Sequence, residues 1–449
     1  MSDATYGVII VGGGLAGLTA ALRAREAGRS VAVIDPDPED GAGANSRISG
    51  GVFHLAWGAM DEAPIELVRR MIEQTDGEVD VPLARALAHN SAAAIAWLAA
   101  QGVELAPKGP RAHDKYTFQP WLEAVGATSQ PHRGAEIALQ QLRGRARAAG
   151  VSFVAGCADA LRRRPEGWEV GVGGTVAVAG RAVIVATGGF QADGQLMRTL
   201  VGPHADDVFL RSTGAATGTG LRLLIGAGAA LTEPSSAVYG HLLSASAVSE
   251  PQLWPQPTVD AVARRGLLVD RDGRAFTPDA DNGIALVNAM LRTGEPSGFT
   301  VVFDSRTRAE ASAERGATQT DGHLRDVAEL VERGAEIIEA ASVPELAVRL
   351  GIPADQLEKS VDAWTGGRST DAGSWYAMRV LPGITATMRG VRVDDRCRVM
   401  ARTGEVIPGL FAAGDVIGVH GGPRGGYLGG LGIALISGYL CGFAAGDRS

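Results

Sequence analysis

Cysteine is scarce in this chain: Cys157, Cys397 and Cys441 are the only three in 449 residues. They are widely spaced, odd in number, and form no C-x-x-C. That pattern excludes a thioredoxin-like redox pair, c-type haem attachment and iron–sulfur ligation within the chain. All three read as small buried residues. Histidines are few and form no H-x-x-x-H pair, so no metal site is expected. No apolar run reaches the ~18 residues of a membrane span, so no membrane contact is expected. Basic charge is also short, 42 Lys and Arg against 50 Asp and Glu, net −8. With no excess of cations to neutralise phosphates, nucleic acid is not an expected partner. Only a short polar lead precedes the first apolar run, which makes a cytoplasmic protein the expectation. The remaining composition, 45% hydrophobic and 20% charged, is that of a globular protein whose length allows two or three domains.

What abounds is glycine, 62 residues, and its most informative cluster comes first. Val8 to Val11 reads as a buried parallel strand, and Gly12, Gly14 and Gly17 follow at G-x-G-x-x-G spacing. A helix over Leu15–Ala27 and a second strand over Ser30–Ile34 lead to Asp35. Gly12 permits the tight turn, Gly14 lets backbone approach a pyrophosphate, and Gly17 lets helix and strand pack closely. The pyrophosphate then sits on the helix N-terminus, and Asp35 can hydrogen-bond a ribose hydroxyl. Strand, turn, helix, strand and acid together predict a dinucleotide site. Its place at the front of a long chain favours FAD over NAD.

Further along, residues 36–53 form a Gly/Ser-rich loop in which Asn45, Ser46 and the amides near Gly50 and Gly51 can meet pyrophosphate or isoalloxazine oxygens. Two helices are expected over residues 61–101, the second from Val81 to Gln101, and another over Gly134–Ala149. Residues 106–133 read as irregular and polar, with Lys108, Arg111, His113, His132 and Arg133. Strands are expected at Val151–Val154, Trp168–Val172 and Thr175–Val178. The strand Ala182–Ala186 ends in Thr187-Gly188-Gly189, a second close approach to the nucleotide. Composition changes near Pro234. A hairpin with an Asp-Gly turn is expected at Leu267–Phe276, a strand at Phe299–Asp304 and an amphipathic helix at Ala354–Trp364. The strand Gly409–Asp415 then returns to the nucleotide fold, followed by a glycine-rich turn from His420 to Gly432 and a helix over Ile433–Ala445.

This ordered set, G-x-G-x-x-G, Ala44-Asn45-Ser46, Ala186-Thr187-Gly188-Gly189, Leu410 to Asp415 and Tyr427-Leu428-Gly429-Gly430, resembles one flavoprotein family. Its members are soluble fumarate reductases, 3-ketosteroid 1-dehydrogenases and tricarballylate dehydrogenase. The resemblance covers essentially the whole chain. It implies an α/β, Rossmann-like (glutathione-reductase-type) FAD domain over 1–232 and 383–449, with an inserted α+β capping domain over 233–382. It implies FAD contacts at Gly12, Gly14, Ala16, Gly17, Asp35, Asn45, Ser46, Gly50, Gly51, Thr187, Gly188, Gly218, Gly414, Asp415, Gly430, Gly432 and Ile433. Ser46-Arg47 stands where some relatives carry a flavin-linked histidine, so the FAD is expected to be noncovalent.

The departures limit the chemistry. The segment Arg274–Asn282 lacks the arginine that donates a proton in fumarate reductases, and Thr385-Ala-Thr-Met388 lacks a family histidine. Only Arg424 is left to match a substrate arginine. The turn Tyr427-Leu-Gly-Gly-Leu431 looks more like the ketosteroid enzymes' ketone-binding turn, where a tyrosine hydroxyl and a backbone amide hold a carbonyl oxygen. Two such donors stabilise an enolate and acidify the neighbouring C–H. The expected function is thus exchange of hydride between flavin and a CH–CH bond beside a carbonyl, desaturating a ketone or reducing an enone. Tyr427, Arg424, Tyr239 and Tyr116 are the candidate catalytic residues, and Tyr239-Gly-His241 lies close to a family substrate histidine. A small carbonyl or enone is the expected partner, with the electron donor or acceptor unidentified. The alternatives are a monooxygenase-like enzyme and a flavin-carrying sensor without turnover.

Overall fold

A computed structural model describes residues 5–121, 134–249, 258–318, 335–366, 373–418 and 421–445, with no side chains described for 312–318. His132, Arg133 and His420 lie outside the described residues. Seventeen strands are described among these: β1 Tyr6–Val11, β2 Val31–Asp35, β3 Val52–Phe53, β4 Leu105–Ala106, β5 Tyr116–Phe118, β6 Ser152–Ala155, β7 Ala158–Arg164, β8 Gly167–Val172, β9 Val176–Val185, β10 Phe209–Leu210, β11 Val238–Ser244, β12 Leu267–Val269, β13 Phe299–Asp304, β14 Ile338–Ala340, β15 Trp375–Thr387, β16 Arg398–Met400 and β17 Val406–Ala412.

The buried run Val8–Val11 becomes the centre of a parallel sheet in the order β17-β9-β1-β2-β6. Strands buried on both faces read as continuous apolar runs, which is why β1, β2 and the end of β9 were legible. Helix Leu15–Glu26 leaves β1 through the glycine turn. The last described helix, Gly430–Ala444, returns to cross it. Glycines permit that crossing: a Cβ at Gly438 would overlap the Ala16 carbonyl oxygen, and one at Gly442 would press on that of Ala20. The last described helix is thereby packed against the helix that follows the glycine turn.

The structure differs from expectation between 156 and 186. Val176–Val185 is one strand, not two. Gly180 pairs with both Trp168 and Tyr6, so an antiparallel ribbon β7-β8-β9 runs directly into the parallel sheet. β7 went unread because its outer half, Arg162-Arg163-Arg164, is polar and exposed.

A second sheet forms around β15, a thirteen-residue strand flanked by β10, β11, β13 and β14, with β12 on β13. Proline and glycine ordinarily weaken a strand, yet β11 pairs through this stretch of β15, Leu242 with Pro382 and His241 with Gly383. β15 therefore runs unbroken across residues 382 and 383. A satellite core of Leu267, Val302, Leu346, Leu357, Trp375 and Ala377 supports this sheet. A small sheet, β3-β5-β4, packs through β3 against the last described helix. Cys397 and Cys441 are buried, but Cys157 is exposed, contrary to the reading of all three as buried. No helix among the described residues is long and apolar enough to cross a membrane.

Candidate active site

One cavity of about 1030 Å³ runs from the glycine turn to the second sheet. That lies at the upper end of small-molecule pockets, roughly 300–1,000 Å³. At its first end Gly12 has φ +104°, which a side chain would strain. A Cβ at Gly17 would overlap the Gly12 carbonyl oxygen, and one at Gly13 the Asp35 carboxylate. The Leu15 amide, at the start of the first helix, donates to Ser46 Oγ at 3.2 Å. Asp35 accepts from the Asp37 amide at 2.8 Å and lies 3.9 Å from Arg143. Burial raises its pKa, and these amides and Arg143 pull it back.

The middle of the cavity is made by Asn45, Ser46 and Ile48–Val52 on one wall and Ala186–Gly189 with Gly414 and Asp415 on the other. Asn45 Nδ2 donates to the Thr385 carbonyl at 3.1 Å, which ties the loop to β15. The Gly414 amide donates to Ser437 Oγ at 2.9 Å, which holds the 3-10 turn against the last helix. Thr187 Oγ1 is buried without a hydrogen-bond partner among the described residues. Desolvation pushes the Asp415 carboxyl up to about 6. A donor-acceptor hydroxyl and a carboxylate on the same wall ask for a polyhydroxylated ligand.

The far end is aromatic and titratable. Tyr427 and Tyr239 stack with centroids 4.0 Å apart and planes at 15°. The Gly430 amide donates to the Tyr427 hydroxyl oxygen at 2.6 Å. Burial, then the neighbouring Tyr239 and Asp415, hold the Tyr427 phenol well above its ordinary range, so it stays protonated at neutral pH. Tyr239 sits 3.1 Å from His241 Nε2, and His241 Nδ1 sits 2.6 Å from Asp260 Oδ2. Arg211 is buried here. Its pKa is lowered by desolvation and supported by Tyr239 and Asp260. Opposite them, the turn His54–Gly58 stacks His54 on Trp57 at 4.5 Å and brings both against Tyr427 and His113. Ala56 and Trp57 take φ of 49° and 63° to make that turn.

Of the residues singled out from sequence, Gly12, Gly14, Ala16, Asp35, Asn45, Ser46, Gly50, Gly51, Thr187, Gly188, Gly414, Asp415, Gly430, Tyr239 and Tyr427 all line this one cavity. Gly17, Gly218, Gly432 and Ile433 stand behind the wall. Gly218 turns the chain at φ +68° between the lining Thr217 and Thr219, and Gly432 lets the last helix press on the His54 carbonyl. Two of the four catalytic candidates are not on the wall. Arg424 pairs with Asp76 at the surface, side chain 57% exposed, because its neighbour Gly425 is the residue packed on the start of helix Gly283–Leu291. Tyr116 lies on β5 beside Lys115 and Asp61. The wall's cations are instead Lys108, Arg211 and Arg264. His54, Trp57, Arg211 and Asp260 were not singled out. They are isolated residues in unrelated segments, and only the Tyr-x-His alternation on β11 signalled part of the cluster.

The family of FAD binding domains matches residues 7–428. This chain belongs to that family. Relatives include the cytochrome fumarate reductase of Shewanella frigidimarina, 25% identical over 96% of this chain and 75% of that protein. A 4-oxocyclohexanecarboxylate 2-dehydrogenase of Sinomonas cyclohexanicum is 25% identical over 59% of this chain and 51% of its own. Among solved structures, a 3-ketosteroid-Δ4-(5α)-dehydrogenase of Rhodococcus jostii RHA1 shares the fold. Its TM-score is 0.71 at 19% identity, covering 100% of this chain and 98% of that one. The flavoprotein is thus an FAD-dependent oxidoreductase of the group that works on CH–CH and C=C bonds. The donor set fits the cofactor: a glycine turn opening a helix, the Asp35 carboxylate at the end of β2, the Thr187 hydroxyl without a hydrogen-bond partner among the described residues, and the Asp415 carboxylate. Among the described residues no cluster suited to a metal ion occurs.

Proposed function

We propose that this flavoprotein transfers hydrogen across a C–C bond next to a carbonyl, desaturating a ketone or reducing an enone. The observation that carries the reading is the pair of stacked tyrosines at the far end of the cavity, one of them held by a backbone amide. The Tyr427 oxygen already accepts the Gly430 amide, so its O–H is left to donate into the cavity. A donor kept neutral beside a group that exchanges protons is the arrangement acid–base chemistry needs. Tyr427 binds the carbonyl oxygen. The Leu431 amide, in the first turn of the last helix, where N–H groups lack intrahelical partners, supplies the second donor. Tyr239 takes or returns the proton on the α-carbon. Bound FAD supplies the two-electron exchange at the β-carbon. Asp35 holds the adenine-side ribose, and the Gly12–Ala16 turn with Ser46 holds the pyrophosphate. Asp415 and Thr187 would hold hydroxyls of the bound cofactor. We assign cofactor binding to the first sheet and its helices, and substrate cover to the second.

A second reading is reduction of an alkene acid, as the names of several relatives say of them. It is favoured by Lys108 and Arg211 on the far wall, both buried. One experiment separates the two. The FAD-loaded protein is mixed anaerobically with 4-androstene-3,17-dione, with 4-oxocyclohexanecarboxylate and with cyclohexanone. The photoreduced protein is mixed with cyclohexenone, fumarate, urocanate and acrylate. Bleaching by a ketone, or reoxidation by cyclohexenone, supports the first reading. Reoxidation by the acids alone overturns it in favour of the second.

A further inference from the structure

A buried cation stands behind the glycine turn. Arg143, on helix Gly134–Ala148, is buried and does not line the cavity. Its Nη2 donates to the Gly13 carbonyl at 3.0 Å, and its Nη1 donates to the Pro38 carbonyl at 3.0 Å. The first carbonyl belongs to the turn after β1, the second to the loop after β2. Nη2 also lies 3.9 Å from Asp35 Oδ2. The guanidinium carbon is 5.6 Å from the centre of the Phe153 ring on β6. Two glycines leave room for this arrangement. A Cβ at Gly41 would overlap Nη2, and one at Gly13 would overlap the Asp35 carboxylate.

Burying a guanidinium is costly unless charges and hydrogen bonds compensate it. Here the compensation is partial. Arg143 Nε has no hydrogen-bond partner among the described residues, and Asp35 stands at ion-pair distance. The Asp35 carboxylate in turn accepts the amides of Asp37 and Gly13. The Gly13 residue is thus held at both ends, its N–H by Asp35 and its C=O by Arg143. Asp37, Asp40 and Arg147 are the other charged groups around the pair, with Arg47 beyond Asp37. A group behind the wall that grips both the turn and the loop, and faces the carboxylate between them, acts on a ligand through those neighbours.

We propose that Arg143 is a positioning residue for the adenosine half of bound FAD, holding Asp35 as an ionised acceptor for the ribose hydroxyls and fixing the glycine turn beside it. The proposal rests on the reading that Asp35 holds the adenine-side ribose. Arg147, one helical turn further on, supplies the internal comparison. It also donates to the Pro38 carbonyl, at 2.8 Å, but it does so at the surface, beside Glu39.

The test uses the FAD-loaded full chain and its variants Arg143→Met, Arg143→Gln, Arg143→Lys and Arg147→Met. Equilibrium dialysis gives the FAD dissociation constant, and fluorescence of released flavin gives the concentration of ADP, 2′-deoxyADP or 3′-deoxyADP that displaces half of it. In the parent, ADP is expected to displace FAD at about tenfold lower concentration than at least one deoxy analogue, the worth of a hydrogen bond to a charged group. Arg143→Met is expected to raise the FAD dissociation constant about 10–100-fold and to bring the ADP to deoxyADP ratio within threefold of one. Arg143→Gln carries the same expectation should the methionine variant fail to fold. Arg143→Lys keeps the charge and is expected to keep the parental ratio, while Arg147→Met stays within threefold of the parent in both measurements. A neutral Arg143 variant that binds FAD more weakly but keeps the parental ratio overturns the action through Asp35. Parental affinity and ratio in that variant overturn the whole inference and leave the reading of Asp35 standing. A parent displaced equally by ADP and both analogues overturns the Asp35 reading and the inference together.

Discussion

Tyr427 and Tyr239 show how two identical side chains stacked at 4.0 Å meet different neighbours. One accepts a backbone amide and keeps its proton; the other faces an imidazole. On the proposed reading Tyr427→Phe removes the donor to the carbonyl, together with the acceptor of the Gly430 amide, so flavin reduction by a reactive ketone is expected to slow about 10²–10³-fold. FAD content is unchanged, and stopped-flow absorbance at the flavin band reads both. Arg424→Ala is expected to change that rate less than threefold, because its partner is Asp76 at the surface and an exposed pair contributes ~0–1 kcal/mol. Asp415 gives a pH prediction for the FAD-free protein. Its carboxyl is held up at about 6 when folded, against about 3.9 unfolded. The folded chain binds this proton more tightly, so the stabilisation is complete below the unfolded value and lost as pH rises through 6. Asp415→Asn is therefore expected to be the more stable protein at pH 7.5, by on the order of 1–3 kcal/mol. Denaturant titrations should show the gap closing toward pH 4. A gap independent of pH would point away from the carboxylate.

At the scale of elements, the cavity is made where helix starts and strand ends converge. The first helix starts at Leu15 and the last at Gly430. They are held side by side through Ala16, Ala20, Gly438 and Gly442. Gly17→Ala would push the first helix off the Gly12 turn. We expect a loss of stability of about 1–3 kcal/mol or more and a fall in the ratio of flavin to protein absorbance after purification. The helix Gly283–Leu291 shows a second device. Asn282 caps it through the Ala285 amide at 2.9 Å and donates from Nδ2 to the Arg424 carbonyl at 2.9 Å. One side chain thus starts a helix and holds the turn that carries Tyr427. The last helix was expected from Ile433 and begins at Gly430, because a glycine-rich opening carries no helical signal until the apolar positions start.

For the whole molecule, the cavity draws its walls from both large sheets and the small one, so a bound dinucleotide stabilises all three against unfolding. FAD at a hundred times its dissociation constant adds about 2.7 kcal/mol, and scanning fluorimetry should show a rise in melting temperature that grows with FAD. No rise would show that the cavity is not the FAD site. What the sequence determined by itself is the dinucleotide unit: a buried run, three glycines, a helix and an acid within thirty consecutive residues, all local and all periodic. It also determined the family, through motifs in fixed order. Tertiary structure alone brought the residues of the cavity's aromatic end together. Tyr239, His241 and Asp260 come from the second sheet and the helix beside it, His54 and Trp57 from a strained turn, and Tyr427 from the last glycine turn. Their meeting depends on β15 passing unbroken through Pro382-Gly383 and on a bulge at Tyr239. It depends too on a glycine crossing of the first and last helices. Each is a long-range packing result, and no local pattern of residues encodes where such segments end relative to one another.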